Sequence, residues 1–336
     1  MKSKLILWFG LTILIGTGVW FWRQHGTVAL ALRRLGSPGE TGQSRNNLHK
    51  PVAPTPPAAA LRPLVGGITH LDALSVTIRS IVDAKEEYLK RQASVAAVTT
   101  NLTVVDRQAL YAFLLQPDPS DHEQSGQVLK NHLLDRLCEL DPLSTGLAEV
   151  LTGMYHDKNQ DIVLRDYAVQ HLAAYYEQLE ITRQNDPQVQ QTVQGVFWEA
   201  LAETDSSIAG TALLALTRLS EGRSEFDQNR IRAAALQLAG AGQAGELTRS
   251  TALQVSARLG TKEALPVLMQ VAADGGTLPL RISAIGALGT LGAPEAVSLL
   301  NTFLAGPEAR LKLPARQALR QIELKTSQAR AAGTEK

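Results

Sequence analysis

One helical pattern recurs about six times between residues 129 and 322, and it restricts the folds open to this chain. The pattern reads Leu-basic-x-x-Ala-x-x-x-Leu-x-x-Leu, and its two clearest copies begin at Leu280 and Leu311. The copies begin at Leu129, Leu164, Ile208, Thr248, Leu280 and Leu311. Self-similarity at intervals of about 31 to 44 residues is typical of repeat arrays, in which each unit stacks on its neighbours.

The apolar positions of each copy follow steps of four and three, which places them in one stripe on a helix. A small residue in the middle of the stripe allows a second helix to approach closely. Between the copies lie further apolar stripes, at residues 143–155, 189–202, 231–238, 264–271 and 294–304. The sequence therefore predicts an all-α superhelix, a solenoid of stacked helix pairs.

These copies resemble the HEAT-like repeat family, including its short bilin-lyase-type variety. Three copies depart from the pattern, because Ala209 replaces the basic residue, Leu133 the alanine and Ser256 the central leucine. The resemblance covers about the last two-thirds of the chain. It implies a scaffold fold, on which a few members of the family carry an enzyme activity.

An uncharged apolar stretch at residues 5–22 is long enough to cross a bilayer. Trp20 and Trp22 lie at its distal edge, where indole rings favour the membrane interface, and Arg23 follows. We expect a single transmembrane helix that is entered from a short basic cytoplasmic N-terminus and leaves the repeats outside the cytoplasm. The alternative is a secreted protein, whose signal peptide is cleaved after Ala31.

Composition divides the chain into four segments. Residues 1–36 form the anchor and juxtamembrane segment, and the composition of residues 37–65 is that of a Pro-rich flexible linker. We expect the repeat domain at residues 66–325 and a disordered tail at residues 326–336. The formal net charge of +1 gives no general attraction to phosphate, so nucleic acid is not predicted as a partner.

Local signals predict several helix boundaries. Residues 71–91 are predicted to be one helix with an i,i+4 pair between Glu86 and Lys90. Thr103 and Asp106 form a predicted capping box. Gly260 and Gly292 directly follow the last leucine of their copies, where a left-handed residue commonly ends a helix. Pro314 is expected either to kink the last helix or to mark its start.

Three groups of residues could indicate chemistry. Residues 240–245 match a dinucleotide-binding expression, but a helix is predicted before them and a flexible turn is the better interpretation. His122 and Glu123 resemble the His-Glu pairs that iron-binding hydroxylases of the same repeat family place on several repeats. Only one such pair occurs here. Cys138 is expected to be a partly buried structural thiol. We therefore predict no catalytic residue, no metal site and no cofactor.

Two clusters are candidates for binding a protein partner. The aromatic cluster comprises Tyr167, Tyr175, Tyr176 and Trp198, and such side chains often anchor a partner, although they also pack cores. The basic ridge comprises Lys312, Arg316 and Arg320, and it is expected either to cap the array or to meet an acidic partner or anionic lipid.

The sequence as a whole predicts a membrane-anchored scaffold for protein interactions that is not an enzyme. The alternative, which comes from the family resemblance, is an enzyme or a cofactor-handling protein of the lyase or metal-dependent hydroxylase type.

Overall fold

The computed structural model describes residues 71–116, 123–141, 143–144, 146–182 and 186–333. Within these residues the chain forms fourteen α-helices and no strand, so the predicted all-α fold is confirmed. The described residues all belong to one compact unit, residues 57–336. The segments predicted to be the anchor and the linker, residues 1–36 and 37–65, lie outside the described residues.

The fourteen helices follow one another through short turns. In chain order they are α1 Val76–Val82, α2 Tyr88–Ala96, α3 Val104–Leu115, α4 Glu123–Leu140, α5 Leu147–His156, α6 Ile162–Ile181, α7 Pro187–Ala200, α8 Ile208–Leu219, α9 Gln228–Gly240, α10 Glu246–Arg258, α11 Leu265–Asp274, α12 Leu278–Leu291, α13 Val297–Ala305 and α14 Ala309–Gly333. The six copies of the pattern lie in the even-numbered helices from α4 to α14. The five predicted stripes between them correspond to odd-numbered helices from α5 to α13.

The helices form two layers that differ in how closely they stack. Each even-numbered helix packs against the next even-numbered helix at every step from α2 to α14. The odd-numbered helices touch in sequence from α1 to α7, but beyond α7 they make little or no direct contact with one another. We call the even-numbered helices, which stack more closely, the inner layer and the odd-numbered helices the outer layer.

The core lies between the two layers. The first apolar residue, the central small residue and the third stripe residue of each copy point toward it, as Leu280, Ala284 and Leu288 do in α12. All three of these side chains are buried, and the equivalent residues of α6 and α8 are buried as well. The stripe predicted from the sequence is therefore the buried face of the inner layer.

The basic residue of the pattern has a structural role. It donates a hydrogen bond to a carbonyl near the end of the preceding odd-numbered helix: Arg165 Nε to the Tyr155 oxygen at 2.8 Å and Arg281 Nε to the Ala272 oxygen at 3.1 Å. Arg91 and Lys130 make the same kind of bond, to the carbonyls of Ile81 and Gln116. The last carbonyls of a helix have no partner within it, so these cations satisfy acceptors that would otherwise be buried unpaired.

The turn chemistry agrees with the predicted boundaries. The Thr103 hydroxyl accepts a hydrogen bond from the Asp106 amide at 3.0 Å, which confirms the predicted N-cap, while the Asp106 carboxylate accepts from the Ser75 amide instead of completing the box. Gly260 and Gly292 have φ of 68° and 73°, so both are left-handed as predicted. Of residues 240–245, Gly240 ends α9 and residues 241–245 form the turn to α10.

Two predicted segments differ in the structure. Residues 71–91 are not one helix: after a short 3-10 turn the chain forms α1, turns at residues 83–87, and begins α2. The Asp83 carboxylate accepts from the Lys85 amide at 2.9 Å, which stabilises that turn. Lys90 and Glu86 still pair, at 2.6 Å.

At the other end of the chain, α14 continues to Gly333, past residue 325 where the repeat domain was expected to end. Its last residues are rich in strong helix formers, which explains the extension. Pro314 lies inside α14, in the second turn, so it does not mark the start of the helix.

Candidate interaction surface

The inner layer has one face that none of the fourteen described helices covers. In α12, Leu280 and Leu288 face α11, Ser283 faces α10, and Gly289 faces α14. The remaining side of the helix carries Gly286, six residues after the start of its copy. We define the inner face by this position and by the residue immediately before each copy, because both lie on the same line along a helix.

An apolar row marks one edge of the inner face. The residues immediately before three of the copies are Val128, Val163 and Leu247, whose exposed fractions are 44%, 41% and 51%. Ser207, directly before α8, and Pro279 in α12 hold the equivalent places. Large aliphatic side chains therefore recur at equivalent positions of α4, α6 and α10. Aliphatic groups exposed in register are typical of surfaces that bind partners.

The middle of the inner face is mostly polar. The residues six places after the start of each copy are Asp135, Gln170, Leu214, Gln254, Gly286 and Gln317. Side-chain amides carry both a donor and acceptors, which suits them to hydrogen bonding with a peptide backbone. Gln254 already donates to the Ser283 carbonyl at 2.6 Å, so its position is fixed by the next helix.

Cross-helix ion pairs mark the other edge of the inner face. Glu177 and Arg218 approach to 2.7 Å, and Glu221 and Arg258 to 3.0 Å. Each glutamate lies thirteen residues after the start of its copy and each arginine ten residues after the start of the next copy, so the two pairs are equivalent. Such partly exposed pairs contribute little stability, but they hold neighbouring helices in a fixed register.

A polar cluster interrupts the junction between α4 and α6. His171 Nδ1 lies 3.6 Å from Cys138 Sγ, and His171 Nε2 lies 3.6 Å from Asp135 Oδ1. Burial lowers the pKa of His171 to about 4 and raises the pKa of Cys138 to about 12, with Asp135 and Glu139 adding to the second effect. The pKa of Asp135 is also raised, chiefly by burial. At neutral pH the imidazole and the thiol are therefore both neutral.

This arrangement has the residue types of a Cys-His-Asp nucleophile but the wrong charge states. A nucleophilic cysteine needs a lowered pKa, usually from an imidazolium or a helix N-terminus nearby. Here the shifts run in the opposite direction, because burial favours the neutral form of each group. The cluster is better described as a packing contact between two inner helices, in agreement with the structural role predicted for Cys138.

The structure separates the members of the predicted aromatic cluster. Tyr175 and Tyr176 are buried, and the Tyr176 hydroxyl donates to Glu225 at 3.3 Å and accepts from Gln194 at 2.7 Å. The Tyr176 ring also meets Phe226 edge to face, with the ring centroids 5.2 Å apart. Core packing, the alternative left open by the sequence, describes these two tyrosines.

The other two aromatic candidates lie in different layers. Tyr167 is half-buried on α6, where burial raises its pKa. Trp198 is half-buried on α7, in the outer layer, and the Arg230 guanidinium lies 3.7 Å from the centre of its ring. The four aromatic residues do not line a common groove, and a partner-binding role for Tyr167 and Trp198 stays a prediction.

The members of the predicted basic ridge do lie together on α14. Arg316 and Arg320 are exposed, whereas Lys312 is half-buried at the position of the basic residue in the pattern. The sequence-based candidates did not include the inner-face residues, although aligning the copies shows that the sixth position is never part of the apolar stripe. Equivalent exposed positions in a repeat array are thus the signal that could have found them.

The predicted membrane and metal features fall largely outside the described chain. Residues 5–22 are not among the described residues, and no helix within residues 71–333 combines the length and the hydropathy needed to cross a bilayer. His122 also lies outside the described residues. Within the described segments no group of three or more His, Cys, Asp or Glu side chains is arranged to hold a metal ion.

Comparison with known proteins supports the repeat assignment for one part of the chain. Residues 223–320, which run from the turn before α9 into α14, match the family of HEAT repeats. No curated protein matches the sequence. Among solved structures, one similar chain is human deoxyhypusine hydroxylase in complex with glycerol, with 17% sequence identity, a TM-score of 0.31, and coverage of 76% of this chain and 96% of that chain.

Proposed function

We propose that this protein is a scaffold that holds an extended segment of another protein along the inner face. The observation that carries the proposal is the row of exposed Val128, Val163 and Leu247 beside the polar middle positions. Packed helices lie about 10 Å apart and an extended chain advances about 3.3 Å per residue, so a crossing peptide would present about one side chain in three to each helix.

The matched charges on the inner face limit the kinds of partner that fit. Two of its arginines, Arg218 and Arg258, are already paired with glutamates of the preceding repeats. A partner therefore gains little from a strong net charge of either sign here. The proposed partner is a segment of low net charge with aliphatic side chains at regular intervals and a backbone that pairs with the glutamine amides.

The inner-face proposal can be tested by co-purification of the full-length protein from its native membranes or cells. The test variant carries Val128→Ser, Val163→Ser and Leu247→Ser. The control variant carries Val76→Ser, Val104→Ser and Val105→Ser, which removes three valines that are 83%, 72% and 48% exposed on α1 and α3. We expect the test variant to lose at least tenfold of its specific partner and the control to retain it. Equal recovery of the same partner with both variants would contradict the proposal.

The membrane attachment belongs to the same proposal. Residues 5–22 would anchor the chain, and residues 37–65 would act as a tether that presents the repeats outside the cytoplasm. Alkaline carbonate extraction should leave the full-length chain in the membrane pellet and release a chain that lacks residues 2–36. An intact mass that corresponds to a chain beginning after Ala31 would instead show that a signal peptide is cleaved and that the protein is secreted.

A further inference from the structure

The last helix that the structure describes is α14, and its outward positions differ in character from those of every other described inner helix that carries the pattern. The residue five places after the start of a copy faces the next helix and is a buried aliphatic residue in each earlier copy: Leu134, Val169, Leu213, Leu253 and Ile285. The residue nine places after the start is small in each earlier copy: Cys138, Ala173, Thr217, Ala257 and Gly289.

In α14 the same two places hold Arg316 and Arg320, and both are exposed. The preceding junction shows how close the next helix lies at the second of these places, because a Cβ added to Gly289 would lie only 2.7 Å from the Ala318 Cα. A further repeat of the same kind would bring an equally close helix against two arginines. These arginines therefore disfavour a further repeat of the same kind, because burying their charges against an apolar helix is strongly unfavourable.

The end face is not a purely polar cap. Leu313 and Leu324 lie on the same side of α14 as the two arginines and are 61% and 62% exposed. Leu313, Arg316, Arg320 and Leu324 are spaced by three, four and four residues, which places them on one side of the helix. A terminal repeat needs only a polar outer surface to remain soluble. Two exposed leucines that flank an arginine pair are instead the composition of a contact surface.

The local charge indicates the chemistry of the partner. Within α14 there are six basic residues and one acidic residue, whereas the whole chain has a net charge of only +1. The positive potential is thus concentrated at one end of the array. Arg316 and Arg320 are four residues apart, one helical turn, which matches the spacing of two carboxylates at i and i+4 on a facing helix.

We propose that the end face of α14, defined by Leu313, Arg316, Arg320 and Leu324, docks an acidic amphipathic helix of another protein in the place that a further inner helix would occupy. Glutamates or aspartates of that helix pair with the two arginines, and its aliphatic side chains cover the two leucines. This surface is separate from the inner face, so the docking stands whether or not the inner face binds a peptide.

A protein helix fits the end face better than a lipid surface does. Membrane-surface helices bury a continuous apolar face with the basic residues at its borders. The apolar stripe of α14, which includes Leu311, Ala315 and Ile322, is already buried within the array. The two leucines that remain are separated by the arginine pair, so little continuous apolar surface is left to enter a bilayer.

Binding to synthetic probes tests this docking directly. The full-length protein is titrated into a fluorescent helical peptide with Glu at i and i+4 and Leu on the same face, and into the same peptide with Gln in place of Glu. We expect the acidic peptide to bind at least tenfold more tightly than the Gln peptide. The R316E/R320E variant should lose at least tenfold in affinity and should recover it for a peptide with Lys in place of Glu.

Two further variants separate docking from a general effect of charge. K85E/K262E makes the same change in net charge at exposed positions elsewhere and should bind the acidic peptide normally. L313S/L324S keeps all charges and should weaken binding about threefold to tenfold, because apolar contact is lost. Equal losses in K85E/K262E and R316E/R320E, or normal binding by L313S/L324S, would overturn the proposal.

The same binding assay tests two alternative ligands of the end face, a lipid surface and a nucleic acid. Vesicles of phosphatidylglycerol and phosphatidylcholine, and a single-stranded oligonucleotide, are titrated under the same salt conditions. Binding of either that depends on Arg316 and Arg320, with no binding of the acidic peptide, would replace the protein partner by a lipid or nucleic acid. All six substituted residues are exposed, so circular dichroism and the thermal midpoint of each variant should match those of the unmodified protein.

Discussion

The α4–α6 and α12–α14 junctions bring the same pair of positions together with different side chains. In both, the residue nine places after the start of one copy meets the residue seven places after the start of the next. The contact is Cys138 with His171 between α4 and α6. It is Gly289 with Ala318 between α12 and α14. The size of the residues at these two positions therefore affects how closely the two inner helices can approach.

The contact between Gly289 and Ala318 lies within residues 223–320, the part of the chain that matches the HEAT repeats, and it is made by two small residues. The α4–α6 junction accommodates an imidazole and a thiol within the same architecture. A repeat fold thus tolerates polar groups at a junction, provided that they remain neutral when buried.

The largest expected effect concerns the basic residue of the pattern in α6. The Arg165 side chain is 7% exposed, and its NH2 group lies 2.6 Å from Glu203, whereas the equivalent Arg281 is 18% exposed and pairs with a more exposed glutamate. Arg165→Met should lower the free energy of unfolding by about 3 kcal/mol or more, because it leaves a carbonyl and a carboxylate without their buried partner.

Arg281→Met serves as the matched comparison and should cost about 1 kcal/mol. Urea unfolding of the full-length protein, followed by circular dichroism, measures both changes. Equal losses for the two variants would show that the burial of the ion pair does not control its contribution.

The second prediction concerns the pH dependence of the α4–α6 junction. The pKa of His171 in the folded protein is about 4, below its ordinary value, so the unfolded chain binds the proton more tightly. The stabilising contribution of neutral His171 is therefore fully present above about pH 6.5 and is lost as the pH falls toward 4, by up to roughly 3 kcal/mol.

The measurement compares the unmodified protein with His171→Leu at pH 7 and pH 4.5. The loss of stability on acidification should be smaller in the variant. Asp135 and Asp166 have raised pKa values from burial, so protonation of these carboxyls acts in the opposite direction in both proteins. Identical pH profiles for the two proteins would exclude His171 as the source of acid sensitivity.

The third prediction concerns the small-residue contact of the α12–α14 junction. Gly289→Ala places a Cβ 2.7 Å from the Ala318 Cα, and this clash with backbone can be relieved only if the helices move apart. The expected loss is about 2 kcal/mol. Cys138→Ala at the equivalent place in α4 should cost less than about 1 kcal/mol, because Cys138 meets the His171 side chain there and the substitution introduces no clash.

Gly240→Ala is the control, since no atom lies within 4 Å of an added Cβ at the end of α9. Thermal unfolding of the full-length variants ranks the three substitutions. A loss for Gly240→Ala as large as that for Gly289→Ala would mean that the glycine effect is conformational and not a matter of helix approach.

The smallest expected effect concerns the ion pairs at the edge of the inner face. Arg258→Gln breaks the pair with Glu221, whose side chains are 36% and 65% exposed, and should change the free energy of unfolding by less than about 0.5 kcal/mol. A double-mutant cycle with Glu221→Gln measures the coupling between the two residues. A coupling above about 1 kcal/mol would make these pairs a main source of cohesion between the inner helices.

The sequence was sufficient to predict the helix pairs because each is specified locally. The spacing of the apolar residues, the cap at Thr103 and the glycines at 260 and 292 all depend on neighbours within a few residues. The error at residues 71–91 also has a local origin. The turn at Asp83 lacks both proline and glycine, so no strong helix-breaking signal was present there.

The candidate sites were less predictable, because exposure depends on the neighbouring repeat. The sequence does not distinguish Tyr176 from Trp198, yet Tyr176 is buried against Phe226 and Trp198 is half-exposed beside Arg230. The arginines of α14 were identified as a basic ridge from their spacing. Their place at the end of the stack became visible only from the packing of Gly289 on Ala318.

For this protein, the sequence alone determined that helices with one apolar stripe recur and must be stacked, because the period of the side chains is a property of each helix. The tertiary structure decided which of the remaining faces is covered by the next repeat and which stays open to solvent. That second decision depends on the shapes of two surfaces that are distant along the chain. Residues such as Arg316 and Gly289 acquire their roles only when those surfaces meet.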